Sequence, residues 1–556
     1  MRTLTRSILV AGLFASTMLF APAQSSTKQG TATITGRVSS GDKPAVNVAV
    51  ALYPVERAME RTSVARATTD AEGRYRLTNV PAGQFTVYFI APTMVGLSDT
   101  TYGDQGKTVT IAEGETVEKV DFSLVRGGVI TGRITNADGD PIIAEQIHLN
   151  AVDKNQRRRG APSMNYYMYE TDDRGMYRLY GIASGKYTVS IGEAKEEGSI
   201  RFGFGGRGYY TRTFYPGVTD ESKATALEVT EGSEASNVDI TVGRKAKSYA
   251  ASGRVVDENG QPVPNLRVGA GGIVRENQLG GLGSGSMSDA QGQFRLEGLL
   301  PGRYAAFIWS DGTTNGYTDP IKFEIADGDV SGLELKLRKG SSISGVVVIE
   351  GTSDRSVLST LTQLSLYAYG DRSPERLATP SFGNAKVSSD GRFIISGLEP
   401  GKVQISLSGY PPPKGFSLAR VERDGVPQKE IEVPAGAQLT GFRVVIQYGS
   451  GSVRGFVKIE GDAIPEGMRI MASIHPVGGA ADRSTRPSMV DSRGRFLLEG
   501  IPPGEYEVKL DAIFIAGSPR RIPPVIQRVS VANGVESEVT LTLDPNVRSP
   551  EGSNNE

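Results

Sequence analysis

Residues able to do chemistry are scarce in this chain. Its 556 residues include no cysteine, two histidines (His148 and His475) and one tryptophan (Trp309). Without cysteine there are no disulfides, thiolate nucleophiles, thiolate metal sites or cysteine-borne lipid anchors. A zinc site of the H-x-x-E type needs a glutamate three residues after a histidine, and a second histidine elsewhere. Three residues after His148 stands Ala151, and three after His475 stands Gly478. There is no H-E-x-x-H and no G-x-S-x-G elbow. The nearest approach to a phosphate-binding loop, Gly106-Lys107-Thr108, has Thr101 where the leading glycine belongs. GGLGSGS at Gly280–Ser286 is expected to be a flexible loop, because no strand-to-helix transition surrounds it. NADGDP from Asn136 lacks the full spacing and distal glutamate of a calcium loop, and reads as a hairpin turn. The expectation is a non-enzyme with no catalytic residues, metal or cofactor. Paired carboxylates, as in a polysaccharide hydrolase, remain the chemical alternative.

Binding needs less than catalysis. Two stretches concentrate aromatics among glycines and arginines: SMNYYMYE, with Tyr166, Tyr167 and Tyr169, and RFGFGGRGYYTRTFYPG, with Phe202, Phe204, Tyr209, Tyr210, Phe214 and Tyr215. Aromatic faces on a loop can stack on sugar rings, and arginines beside them can bond hydroxyls or carboxylates. The competing reading is that these rings pack on their own domain. Trp309 has the same two readings, a sugar-stacking face or a shield over the core. Lys+Arg is 61 and Asp+Glu 62, a formal charge of −1, so nucleic acid finds no electrostatic funnel.

These residues must be positioned by a repeated element. An extended segment around a glycine recurs at Gly36, Gly132, Gly253, Gly345 and Gly455. Each is followed by a block of fixed length: DAEGRYRLTNVPAGQFTV from Asp70, DDRGMYRLYGIASGKYTV from Asp172, DAQGQFRLEGLLPGRYAA from Asp289, SSDGRFIISGLEPGKVQI from Ser388 and DSRGRFLLEGIPPGEYEV from Asp491. Asp-x-x-Gly is turn chemistry, the carboxylate accepting from the turn's own amides; in the fourth block the Ser388 hydroxyl takes that part. Alternation follows the turn, with Tyr75 and Leu77 on one face and Arg74 and Arg76 on the other, the period of a half-buried strand. A second turn at Gly83, Gly185, Gly302, Gly401 and Gly504 starts another alternating strand, and a further one closes each unit. About seven short strands per unit predict a small antiparallel sandwich. Truncating an inward aromatic, as in Tyr506→Ala, should cost roughly 3–5 kcal/mol in denaturant unfolding.

The G-[RV]-V opening, D-x-x-G-x-[FY]-x-[LI] and [GN]-[VIL]-x-x-G-x-[FY]-x-[VI] together resemble carboxypeptidase regulatory-like domains. The departures are Ala306 in the third copy and Val403 in the fourth. The resemblance implies an all-β chain of five tandem transthyretin-like or immunoglobulin-like antiparallel β-sandwiches, grouped with carbohydrate-binding-like folds and related to Cna-B modules. In metallocarboxypeptidases the domain is a non-catalytic appendage. Cna-B modules can carry a Lys–Asn isopeptide bond promoted by a glutamate after the second aromatic strand position. Here the matching positions are Phe89, Ile191, Ile308, Leu407 and Leu510, all apolar.

The implied plan is a signal peptide at 1–23, sandwiches at 31–126, 127–244, 245–339, 340–449 and 450–545, and a disordered tail at 546–556. Arg2 and Arg6, the apolar run Ile8–Phe20 and Ala21-Pro22-Ala23 have the order of an export signal. No later run reaches transmembrane length. The localisation expected is periplasmic, cell-surface or extracellular. The function expected is a bacterial binding or spacer rod of about 165 Å, five globules in line. Its partner would be carbohydrate or an envelope or surface protein, or the chain would be an accessory subunit of an envelope complex. Intact-mass measurement should show no loss of ammonia or water per unit; such a loss would reveal isopeptide bonds.

Overall fold

A computed structural model describes residues 30–547, apart from 56–61, 97–105, 153–168, 193–209, 246, 276–277, 310–313, 371–381, 409–413, 461–463, 465–467, 479–486 and 515–519. The expected export signal and most of the tail therefore lie outside the described residues.

Five separate hydrophobic cores follow one another along the chain. They draw on residues within 32–124, 130–242, 251–335, 343–446 and 453–543. Each core lies between two sheets. In unit three the first sheet sets Tyr249–Val256 between Gln293–Leu299 and Val330–Lys336, and the second is antiparallel, running Gln278–Met287, Arg267–Arg275, Gly302–Ile308, Ile321–Ile325. The alternation expected from the sequence is present. In Arg74–Val80, Tyr75 and Leu77 are buried while Arg74 and Arg76 are exposed. Gly83–Ile90 buries Phe85, Val87 and Phe89. Of the positions matching an isopeptide glutamate, Phe89, Ile191, Ile308 and Leu510 are buried and Leu407 partly so.

One pairing departs from a purely antiparallel sandwich. The closing strand of each unit runs parallel to the opening strand. In unit one Thr116–Val117 pairs with Thr33 and Ile34, and Phe122 onward pairs from Val38. Between these stretches the Val120 carbonyl lies over Gly36, where a Cβ would stand 2.2 Å from it. The Tyr75 hydroxyl donates to that carbonyl at 2.5 Å, and Asp121 accepts from the Arg37 amide at 2.7 Å. Unit two repeats this with Gly132, Val238, Tyr177 and Asp239. At Gly253 and Gly345 the obstacle is the carbonyl of Leu333 or Phe442. In unit five the pairing runs without a shift, and Gly455 makes room for the Phe496 ring. The recurring glycine thus answers a close approach.

The Asp-x-x-Gly turn before the first alternating strand is held as expected in four units. Asp172 Oδ1, for example, accepts from Arg174 N at 2.9 Å and Met176 N at 2.8 Å, with Gly175 at φ 73°. Unit four is built differently. The Ser388 hydroxyl donates to the Arg392 carbonyl, and Asp390 accepts from the Arg392 amide at 3.2 Å. Gly280–Ser286 is also not a loop: it lies within strand Gln278–Met287, paired to Arg267–Arg275 with three register shifts.

Adjacent units share a joint. The Gly127 amide donates to the Thr93 carbonyl (2.9 Å) and Gly340 to Asn315 (3.3 Å), each reaching back into the preceding unit, while at the fourth joint Gly449, the last residue of unit four, donates to Gly415 of that unit (2.8 Å). Beside these, Gly181, Gly397 and Gly500 touch the preceding unit so closely that a Cβ would stand 2.3, 2.3 and 2.7 Å from its backbone. The counterpart at the second-to-third joint, Gly298, meets nothing within 4 Å among the described residues.

The expected rod is not what these joints build. Unit five returns to unit one: strand Arg495–Ile501 lies against Gly83–Ile90 and Gly106–Ile111. Four joints in series and this fifth contact make the chain a closed cycle. The length estimate failed because it assumed collinear globules, whereas the short joints fix an angle at each step.

Gly132→Ala places its methyl 2.0 Å from the Val238 carbonyl. It is expected to destabilise unit two by about 1–3 kcal/mol, as overpacking does. Gly243→Ala, whose Cβ meets nothing within 4 Å, should be near neutral in the same denaturant titration.

Candidate functional site

Unit two carries two insertions on its sandwich, and buried tyrosines anchor both. Tyr169 closes the first. It is 6% exposed, belongs to the unit-two core and sets its ring edge-on to Tyr180 at 6.5 Å. Burial pushes its phenol up to about 12. Tyr210 closes the second, 7% exposed in the same core, its phenol also raised by burial and by Glu145. Gly192, where the second insertion leaves, packs against the Tyr210 carbonyl, and its own carbonyl accepts from Arg212 Nε at 2.8 Å. The second insertion thus leaves and re-enters at one point on the scaffold.

These placements divide the aromatic residues singled out from the sequence. Tyr169, Tyr210 and Phe214 are buried and offer no open face to a ligand. Tyr215 packs partly buried against the same core. For these four the reading as a binding platform gives way to packing, because each lies at an insertion's foot, where the chain re-enters the sheet. Tyr166, Tyr167, Phe202, Phe204 and Tyr209 lie outside the described residues. Nothing in their residue types marks Tyr169, Tyr210, Phe214 and Tyr215 as anchors, since all are equally aromatic.

Trp309 is far from them, in unit three. Its indole lies over Gly269, where a Cβ would stand 1.9 Å from Nε1, and its ring meets Phe307 at 5.5 Å. The Arg267 guanidinium sits 5.7 Å from its centroid. Phe307 is only 1% exposed although it points away from the main core. The tryptophan is half-buried and covers the Phe307 ring.

The histidines stay apart, His148 in Ile147–Ala151 and His475 in Met468–Pro476. Ser473 Oγ lies 3.1 Å from His475 Nε2, a spacing that could suggest a nucleophile and its base. The third member is missing: His475 Nδ1 is buried without a partner, and Glu507 across the strand pairs with Arg528. Among the described residues no group of three His, Asp or Glu could hold a metal ion. A shallow cleft on unit one joins Arg37, Arg74 and Arg76 to Asp70, Glu118 and Asp121. Arg74 is spent on Asp70 and Glu72, and Arg37 on the Glu72 carbonyl. Among the described residues no helix is long and apolar enough to cross a membrane.

The carboxypeptidase regulatory-like domain model matches residues 33–125 and 250–338. Units one and three are carboxypeptidase regulatory-like domains. The regulatory-like signature recurs in units two, four and five, which fold with the same parallel closing strand. No curated protein matches the chain. Among solved structures the chain is similar to the Bacillus anthracis TIE protein, at 12% identity over 73% of this chain and 69% of that one, TM-score 0.16. It is also similar to a streptococcal ancillary pilin (12% identity, 55% and 98% covered, TM-score 0.22) and to GBS52, the minor pilin of Streptococcus agalactiae (13%, 38% and 96%, TM-score 0.20).

Proposed function

We propose that the chain is an exported, non-enzymatic scaffold of the bacterial envelope or cell surface. The observation that carries this is the use to which its side chains are put. Five cores take the apolar residues, and many surface charges are spent on pairs within a unit, such as Arg178–Glu234 (2.9 Å) and Arg254–Glu334 (2.7 Å). The residue types that most often do chemistry at neutral pH are absent or isolated. Function on such a scaffold belongs to loops grafted onto it. The unit-two insertions supply them: their sequence carries Tyr166, Tyr167, Phe202, Phe204 and Tyr209, and the chain re-enters the sandwich at the buried Tyr169 and Tyr210. Rings beside arginines suit a carbohydrate or a protein surface. The order of residues 1–23 supports export.

The test is a glycan array and an envelope pull-down with the full chain. Binding that falls at least tenfold in Tyr166→Ala/Tyr167→Ala, with unfolding unchanged, is the expected result. Turnover of a polysaccharide, abolished by one carboxylate substitution, would replace the scaffold reading by the hydrolase.

A further inference from the structure

The contact between units five and one differs from the four joints. It is made mostly by polar side chains, and it grips main chain. Asp491 Oδ2 accepts from the Thr110 amide at 3.0 Å, and Arg493 Nη2 donates to the Thr110 carbonyl at 2.6 Å. Thr110 lies on Gly106–Ile111, the edge strand of unit one's second sheet. One residue of unit one therefore has both its backbone groups taken by unit five. Around this grip, Arg493 and Arg495 converge on Glu115 at 2.9 and 2.5 Å, and the Gln84 amide donates to the Met489 carbonyl at 2.7 Å. The Asp491 side chain is fully buried. Leu497 is buried too, although its counterparts Arg76, Arg178, Arg295 and Ile394 are exposed.

Asp491 does two jobs at once. Its Oδ1 holds its own turn, through the amides of Arg493 and Arg495 at 2.9 Å each, and its Oδ2 holds unit one. The receptor is thus the repeated Asp-x-x-Gly turn with arginines at the second and fourth positions after the aspartate. The first unit carries one half of this contact and the last unit the other. The halves are unlike, so the interface is heterologous and can close on itself or pass to another molecule. Among the described residues the second-to-third joint shows no contact at Gly298.

We infer that unit five is a receptor for the unit-one edge strand, filled in cis by the chain's own first unit and in trans by that of a second copy. An unpaired edge strand is a template for association, and the grip on Thr110 covers it in the closed chain. In dilute solution closure is intramolecular and wins by effective concentration. In concentrated solution copies exchange first and last units.

Burial alone would raise the Glu115 carboxyl. The Ala112 amide and the charges of Arg495 and Arg493 outweigh it and hold the group below its ordinary 4.5. Glu115 faces these two arginines, with Asp491 beside them on the same turn. A depressed carboxyl contributes stability above its unfolded value and loses it as pH falls through the folded one. The latch is therefore closed at neutral pH and loosens below 4.5.

The experiment uses two full-length charge variants, Glu115→Arg and Arg493→Glu/Arg495→Glu. Each alone sets like charges across the latch, so each should be monomeric, with the wild-type unfolding midpoint and a larger radius of gyration by X-ray scattering. Mixed in equal amounts, they should form a one-to-one heterodimer of twice the mass of one chain. Its two contacts are one native and one with charges exchanged. Wild type should stay compact when dilute and open reversibly as the solution is acidified below the ordinary carboxylate range. Variants as compact as wild type would remove the latch. Open variants that stay monomeric when mixed would remove the exchange.

Discussion

Four of the five units rest on one close approach, that of the closing segment to the glycine of the opening strand. The Val120 carbonyl can reach Gly36 only because no Cβ stands between them, and from there it accepts the Tyr75 hydroxyl. That bond joins three elements far apart in sequence: the opening strand, the strand after the Asp turn and the closing segment. A buried carbonyl without a partner would cost about 1–3 kcal/mol, so the tyrosine does more than fill space. Units three to five carry Phe294, Phe393 and Phe496 at this place, which fill the space without supplying the donor. They keep the glycine, because steric access is needed whether or not the bond is made.

The same economy governs how units join. At the first and third joints a glycine at the start of one unit donates its amide into the unit before, and at the first, third and fourth a hairpin glycine at positive φ packs on the preceding unit's backbone. Backbone on backbone leaves no side chain free to rotate, so the angle between units is set by the trace of the chain itself. The contact of unit five with unit one brings the first and last units together. A rod would have needed joints whose offsets cancel. The joint is repeated while the latch is not, which is why the cycle has one place of closure.

The unit was legible in the sequence and the assembly was not. Period-two alternation placed Tyr75, Leu77, Phe85 and Val87 correctly because it follows from the pleat. The Asp turns were legible because Oδ1 serves only its own amides. The Gly280–Ser286 stretch misled because glycine reads as a loop signal, whereas here these residues form a strand with repeated register shifts. Ser388 misled because a hydroxyl can donate as well as accept, and it found the Arg392 carbonyl. The anchoring role of Tyr169, Tyr210, Phe214 and Tyr215 could not be read from residue type, since burial depends on where the chain re-enters the sheet. The latch was hidden most deeply. Asp491 reads as a turn residue like Asp70, Asp172 and Asp289, and its second oxygen carries no mark in the sequence.

That second oxygen shows how a repeat acquires a specific role. In units one and two the oxygen not committed to the turn pairs with an exposed arginine, Arg74 or Arg174. Such a pair is worth little in water. In unit five the same geometry is buried against another domain, where solvent no longer screens it, and Arg493 bonds Asp491, the Thr110 carbonyl and Glu115 together. The desolvation cost is offset because each of these polar groups finds a partner of opposite character. The change from a solvated turn to a domain clamp therefore needs no new backbone. It needs an arginine at the second position after the aspartate, another at the fourth, and an edge strand with a free peptide group within reach. Unit one has only the fourth-position arginine, Arg74, and unit two only the second-position one, Arg174; unit five has both, and the edge strand as well.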